Sequence, residues 1–147
     1  MAQYQIPCGS HTLTWSPGQP LVMGIVNVTP DSFSGDGLGL QTDAAFDQAM
    51  RMMSAGAHLV DIGAESTRPG AQAVGIDEEL NRLLPLLEKL RAVDVPVSVD
   101  TTKAGVMDAA IRLGVGLIND VSALRDPEGC CSGAAWSGFG VPDAHAW

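Results

Sequence analysis

The feature that most constrains the fold is a repeated alternation between short, continuous apolar runs and amphipathic helical patterns. The apolar runs are rich in Val, Ile and Leu and lie at residues 21–26, 58–62, 96–99 and 116–118. Such continuous runs are needed in strands that are buried on both faces by crossover helices. The alternation therefore predicts an α/β chain with a parallel sheet. Two earlier segments, residues 3–6 and 12–15, predict a β-hairpin that covers one end of this sheet.

Three helices are predicted between these strands. Thr42 is expected to cap the first helix and Asp77 the second, whose leucines form one apolar stripe. Pro85 lies inside the second helix and predicts a kink there, because it removes a backbone donor. Thr101 or Thr102 is expected to cap the third helix.

Polar side chains lie at one end of every predicted strand. Asn27 follows the first strand, Asp61 lies in the second, Asp100 follows the third, and Asn119 and Asp120 follow the fourth. In parallel α/β folds, ligands bind where the carboxyl ends of the strands meet. We therefore expect a ligand site at this edge, although Asp120, and Asp61 with it, could instead form helix caps or Asx turns.

Charge and composition narrow the possible partners. The net charge of −9 disfavours nucleic acid, because phosphate binding needs clustered Lys and Arg. The sequence has no apolar stretch of roughly 18 residues and no positively charged secretory start, which favours a cytoplasmic protein without a membrane partner. Its three cysteines have neither a disulfide framework nor metal-ligand spacing. An acidic cytosolic enzyme is compatible with this composition.

Four segments carry motifs in a fixed order. They are residues 23–33 (MGIVNVTPDSF), 61–70 (DIGAESTRPG), 97–101 (VSVDT) and 118–121 (INDV). Together they resemble the signatures of the dihydropteroate synthase family, over residues 21–128. The resemblance implies a partial TIM (βα)8 barrel, with about four βα units after the N-terminal hairpin. It also implies a homodimeric transferase of folate biosynthesis that uses Mg²⁺ and condenses 6-hydroxymethyl-7,8-dihydropterin pyrophosphate with p-aminobenzoate, releasing pyrophosphate.

The resemblance also implies roles for individual residues. The catalytic positions would be Asp100, Asn119 and Arg68, with Asp100 and Asn119 on the pterin ring and Asp100 favouring positive charge on the pterin methylene. Asn27 would bind Mg²⁺ near the pyrophosphate. The other substrate-binding positions lie in two loops: Thr29, Pro30, Asp31, Ser32 and Phe33 in the first, and Thr67 beside Arg68 in the second.

The composition changes abruptly after Glu128. Residues 129–147 contain no Leu, Ile, Met, Lys or Arg, but hold two of the three cysteines and two of the three tryptophans. The codons for residues 142–147, read one base later, permit a segment that resembles the family's fifth strand end. We infer a frameshift near Glu128, so that residues 1–128 form the N-terminal half of a pterin-binding barrel and residues 129–147 an aberrant tail. A complete (βα)8 barrel needs about 250 residues.

Two alternatives remain open for this chain. The family's later Asp-Pro-Gly, Ser-Arg-Lys and Arg-x-His segments have no match, and the two lysines, Lys89 and Lys103, are predicted to lie on helices. Because catalysis depends on the whole set of residues, we expect the chain alone to be inactive, as a non-catalytic pterin-binding remnant. A further alternative is the pterin-binding domain of a methyltetrahydrofolate-dependent corrinoid methyltransferase, against which the loops NVTPDSF and ESTRPG argue.

Overall fold

A computed structural model describes residues 3–29, 38–65 and 73–122. The elements follow one another in the order β1 (Tyr4–Cys8), β2 (His11–Trp15), β3 (Met23–Asn27), α1 (Leu38–Ser54), β4 (Leu59–Gly63), α2 (Ile76–Ala92), β5 (Val97–Asp100), α3 (Ala104–Arg112) and β6 (Leu117–Asn119). None of the helices in these ranges is both long enough and apolar enough to cross a membrane. The predicted tail and Glu128 lie outside the described residues.

Strands β3 to β6 form one parallel sheet whose spatial order is the same as their order in the chain. Helices α1, α2 and α3 are the crossovers between successive strands. The predicted α/β fold with a partial, unclosed barrel is therefore confirmed, with three βα units and a fourth strand in the part that the structure describes. Within that part, β3 and β6 are the edges of the sheet.

Each strand ends one residue later than the apolar pattern predicted. The residues expected to follow the strands, such as Asn27, Asp100 and Asn119, are instead their last members. The parallel register continues through them, so the backbone ladder holds these polar side chains in place. The site residues are thus part of the sheet itself.

The core lies between the sheet and its helices. Val26, Ile62 and Val99 pair across β3, β4 and β5, are fully buried, and pack in one cluster with the α2 leucines Leu83 and Leu90. Burying one such side chain stabilises the fold by about 1.5–3 kcal/mol. This layer fixes the strands relative to one another, and Asn27, Asp100 and Asn119 lie on the opposite face of the sheet.

The opposite face of β3 differs from the prediction that both faces of each strand are buried. Ile25 is 53% exposed and Met23 is 42% exposed, because β3 is an edge strand in the described sheet. Strand β4, which has a neighbour on each side, is buried along its whole length. Burial therefore follows position in the sheet as well as the apolar pattern.

The predicted caps of α1 and α2 were wrong. Helix α1 begins at Leu38, so Thr42 lies inside it, where it is buried. Helix α2 follows Gly75, which makes no side-chain cap, and Asp77 lies within the first turn. There the carboxylate still faces the positive end of the helix dipole. The helix continues through Pro85 to Ala92.

The start of α3 also differs from the prediction. The residue before the helix is Lys103, not Thr101 or Thr102, and it makes no side-chain cap. The Thr101 hydroxyl oxygen instead accepts a hydrogen bond from the backbone N–H of Lys103 at 3.2 Å. This bond lies before the first residue of the helix. Lys89 lies on α2 as predicted, whereas Lys103 does not lie on a helix.

The predicted hairpin is confirmed as the antiparallel pair β1 and β2. It lies at the amino ends of the parallel strands, where the Cys8 thiol donates to the Val97 carbonyl at 3.8 Å and Ser10 donates to the carboxylate of Asp94 at 3.1 Å. The backbone of Gly116 passes so close to Cys8 that no side chain fits between them. Burial raises the pKa of the Cys8 thiol, in keeping with a structural cysteine.

Candidate functional site

One row of residues crosses the carboxyl edge of the sheet. Asn27, Gly63, Asp100 and Asn119 are the last residues of the four strands, and each pairs in register with the next. Paired positions of neighbouring strands point to the same face of a sheet. Three of the five predicted strand-end side chains, those of Asn27, Asp100 and Asn119, therefore lie in one row, as the sequence predicted.

Gly63 keeps a gap open in the middle of this row. A Cβ atom at this position would lie 3.4 Å from Asn27 Oδ1 and 3.7 Å from Asp100 Oδ2. The glycine thus leaves an unfilled space that the Asn27 amide and the Asp100 carboxylate both border. Gly63 was not among the predicted site residues, although a glycine at a strand end is a signal of close approach by a ligand or by another backbone.

Asp61 belongs to the same site, and its interpretation as a cap or turn residue was wrong. It lies inside β4, pairs with Ser98 of β5, and is 3% exposed. Its Oδ2 accepts an N–H from the Asn119 side chain at 3.0 Å, whereas its Oδ1 has no partner among the described residues. Because the Asn119 nitrogen is bound to Asp61, the Asn119 carbonyl oxygen is left to accept a bond from a ligand.

Asp120 has the turn role that the sequence predicted. Its carboxylate accepts the backbone N–H of Ser122 at 2.7 Å and the Ser122 hydroxyl at 2.9 Å, which is an Asx turn. The turn follows β6 immediately. Asp120 therefore lies beside the row without belonging to it.

The electrostatics of the site centre on Asp100. Burial raises the pKa of its carboxyl group, and the negative charges of Asp61, Glu79, Asp120 and Glu65 raise it further. A carboxylate whose charge is poorly compensated gains from an N–H donor or a positive charge on a ligand. The site is thus suited to a ligand that presents such groups.

The remaining predicted site residues divide into two sets. Asn27 is exposed and Thr29 is half-buried just beyond it. The backbone N–H of Val28, between them, donates to the Gly63 carbonyl at 2.7 Å and extends the pairing of β3 with β4. The other predicted positions lie outside the described residues: Pro30, Asp31, Ser32, Phe33, Thr67 and Arg68.

Asp61→Asn is expected to lower the pKa of Asp100, because it removes one of the negative charges that raise it. The new amide keeps an oxygen that can accept the Asn119 N–H, so the geometry should be retained. Carboxyl ¹³C chemical shifts of Asp100, followed against pH, measure the effect. Asp47→Asn on the exposed face of α1 is the control. An Asp100 pKa that is unchanged or higher in Asp61→Asn would contradict this account.

The fold and the site together define a class. Parallel strands covered by helices on one face, with polar side chains at their carboxyl ends, form a segment of an α/β barrel whose ligand site lies at those ends. The chain belongs to the family of pterin binding enzymes, whose sequence profile matches residues 23–136. This match and the relatives described next together confirm the resemblance to the dihydropteroate synthase family.

Three relatives illustrate this similarity. Dihydropteroate synthase of Bacillus subtilis (strain 168) is 51% identical over 110 residues, which are 74% of this chain and 39% of that protein. The structure of Xanthomonas albilineans dihydropteroate synthase with 4-aminobenzoic acid is 52% identical, with a TM-score of 0.72 over 79% of this chain and 44% of that one. The Burkholderia cenocepacia enzyme complexed with 7,8-dihydropteroate is 47% identical, with a TM-score of 0.72 over 85% and 40%. This chain therefore spans less than half the length of these relatives.

Proposed function

We propose that this chain supplies the pterin-binding side of a dihydropteroate synthase active site in folate biosynthesis. The observation that carries the proposal is the in-register row of Asn27, Gly63, Asp100 and Asn119 at the carboxyl edge of the sheet. Membership of the pterin binding enzymes and the similarity to dihydropteroate synthases support it. The substrates would be 6-hydroxymethyl-7,8-dihydropterin pyrophosphate and p-aminobenzoate.

The chemistry of the row suits the edge of a pterin ring, which carries both N–H donors and acceptors. The Asp100 carboxylate would accept ring N–H groups, and the Asn119 carbonyl oxygen, left available by the bond to Asp61, would accept another. The buried Oδ1 of Asp61, which has no partner among the described residues, is one more acceptor on the same face of the sheet. The site would therefore select a flat heterocycle rich in N–H donors.

The same charges would assist the transfer step. The bond between the pterin methylene carbon and the pyrophosphate oxygen breaks, pyrophosphate leaves with the electron pair, and positive charge develops on the pterin. The negative charges of Asp100 and Asp61 favour that positive charge. The amine of p-aminobenzoate then forms the new C–N bond and releases a proton.

The Mg²⁺ of the proposed reaction fits the donors at the gap. Asn27 is an exposed residue whose neutral Oδ1 borders the Gly63 gap, and Mg²⁺ binds such single ligands while it keeps several waters. Among the described residues, no cluster of three or more His, Cys, Asp or Glu side chains offers a closed metal cage. Asn27 would thus hold the ion, which when bound neutralises the charge of the pyrophosphate.

The loop residues complete the proposal. Thr67 and Arg68 would bind an anionic group of the substrate through a hydroxyl and a guanidinium, and residues 29–33 would border the p-aminobenzoate pocket. The homodimer that the resemblance implies and the cytoplasmic location that the sequence pattern favours also belong to the proposal.

The test uses the purified 147-residue chain. Isothermal titration with 6-hydroxymethyl-7,8-dihydropterin pyrophosphate and Mg²⁺ should show saturable binding at one site. Adding p-aminobenzoate should release no pyrophosphate, because the family's later catalytic segments have no match in this sequence. Absence of binding would contradict the proposal. Measurable pyrophosphate release would show instead that the chain is catalytically complete.

A further inference from the structure

We propose that Lys103 is a positioning residue of this site, whose ammonium group holds the carboxyl ends of β4 and β5 and the start of α2 in one arrangement. It does so by binding Glu65 and Glu79 together. Its importance for ligand binding rests on the function proposed above. The arrangement itself can be tested without that function.

The ammonium group of Lys103 connects three elements. Lys103 lies three residues after Asp100 and directly before α3, and its side chain is 19% exposed. It donates to Glu65, two residues after the end of β4, and to Glu79 in the first turn of α2, the latter at 2.7 Å. Two carboxylates thus share one cation at the carboxyl edge of the sheet.

Glu79 makes this cation necessary. Its side chain is fully buried, and its Oε1 has no partner in the described part of the chain, so Lys103 is its only ion pair there. A buried carboxylate without a cation is strongly destabilising. Burial alone would lower the pKa of Lys103, but its bonds to Glu65 and Glu79 outweigh burial and raise that pKa, which keeps the ammonium charged at neutral pH.

Glu65 links Lys103 to the backbone of Val74, just before α2. Its Oε2 binds Lys103, while its Oε1 accepts the backbone N–H of Val74 at 3.0 Å. A single carboxylate therefore ties residue 65 to residue 74. From α2, Arg82 donates to the Ala64 carbonyl at 2.9 Å and adds a second attachment at the same place.

These contacts indicate that Lys103 positions the site and does not bind the ligand directly. The ammonium of Lys103 is bound by two carboxylates, Glu65 lies two residues after Gly63 of the row, and Lys103 lies three residues after Asp100. Lys103 would act on the ligand through Glu65 and not by touching it. Replacing Lys103 should therefore release Val74 first and weaken ligand binding as a consequence.

The first measurement is hydrogen exchange of the Val74 amide in the full chain. In Lys103→Met the exchange should become about tenfold faster, because Glu65 loses the charge-assisted bond that holds it in place. Lys103→Arg keeps the charge and should stay within about threefold of the original rate. Lys89→Met is the matched control, since Lys89 of α2 also bridges two elements by pairing with Asp43 of α1, and both of these side chains are exposed.

The second measurement is titration of the same variants with 6-hydroxymethyl-7,8-dihydropterin pyrophosphate and Mg²⁺. Affinity should fall about tenfold in Lys103→Met, recover in Lys103→Arg, and remain unchanged in Lys89→Met. If Lys103→Met does not fold, Lys103→Met combined with Glu79→Gln removes the buried charge that has lost its partner. The same Val74 acceleration is expected in that double variant.

The outcomes are distinct. Unchanged Val74 exchange in Lys103→Met or its double variant would overturn the proposal, and so would an equal acceleration in Lys89→Met, which would indicate general destabilisation. Faster exchange with unchanged affinity would overturn the positioning role. If the original chain binds no pterin while Val74 still responds to Lys103→Met, the proposed function fails and the arrangement of the three elements is upheld.

Discussion

Replacing Gly116 by alanine is expected to lower the free energy of unfolding by about 3 kcal/mol or more. The new Cβ would overlap the carbonyl carbon of Cys8 and the backbone nitrogen of Gly9, and it would lie 2.6 Å from Cys8 Cα. Since these are backbone atoms, no change of side-chain rotamer can relieve the overlap. The hairpin must move away from β6 or the sheet must distort.

Urea denaturation followed by circular dichroism measures this effect. Gly39→Ala is the matched control, because Gly39 lies in α1 and a Cβ there would meet no atom within 4 Å. Alanine favours a helix over glycine, so the control should be neutral or stabilising, by up to about 1 kcal/mol. A Gly116→Ala variant as stable as the original chain would show that the hairpin does not pack against the start of β6.

The second large effect is expected for Asp100→Asn, which should weaken binding of the pterin substrate by about 10- to 100-fold at pH 7. The amide keeps the size of the side chain but removes the negative charge, and it replaces one acceptor oxygen with a donor. Titration calorimetry measures the loss. Asp108→Asn on α3, where Asp108 pairs with Arg112 at the surface, should leave the affinity unchanged.

The same variant should be more stable than the original chain at neutral pH. Burial and four neighbouring carboxylates raise the pKa of Asp100 in the folded state, so the folded state binds its proton more tightly than the unfolded state does. Ionisation of Asp100 therefore costs stability as the pH rises from the unfolded pKa of about 3.9 through the folded value. Asp100→Asn removes this cost.

The gain in stability should be largest above the folded pKa of Asp100 and should vanish below about pH 3.9, where the group is protonated in both states. Urea denaturation at several pH values tests this. Lower stability of Asp100→Asn at pH 7 would contradict the electrostatic account, and equal affinity for the substrate would remove Asp100 from the proposed site.

Much of this architecture follows from local sequence patterns. The continuous apolar runs located all four parallel strands to within two residues at each end, because strands buried by helices need such runs wherever they lie. The clustering of the polar residues at the strand ends then followed from the geometry of a parallel sheet alone. Asn27, Asp100 and Asn119 are brought together by register, which requires no knowledge of their contacts.

Other features depend on partners that are distant in the chain. Asp61 and Asn119 are 58 residues apart, and only the folded sheet brings their side chains to 3.0 Å. Without that partner, a lone aspartate near the end of an apolar run resembles an ordinary cap or turn residue. Lys103 could not be assigned for the same reason, since Glu65 and Glu79 lie 38 and 24 residues before it.

The hairpin and the polar row lie at opposite ends of the parallel strands, and this separation has a consequence for mutational tolerance. Substitutions near the amino ends, around Cys8 and Gly116, should act in a genetic screen through the abundance of the folded chain. Substitutions near Gly63 and Asp100 should leave abundance intact and alter ligand capture. A deep mutational scan that scores both properties should therefore separate the variants along the strand axis. Variants at the amino ends should lose abundance, and variants at the carboxyl ends should lose ligand binding.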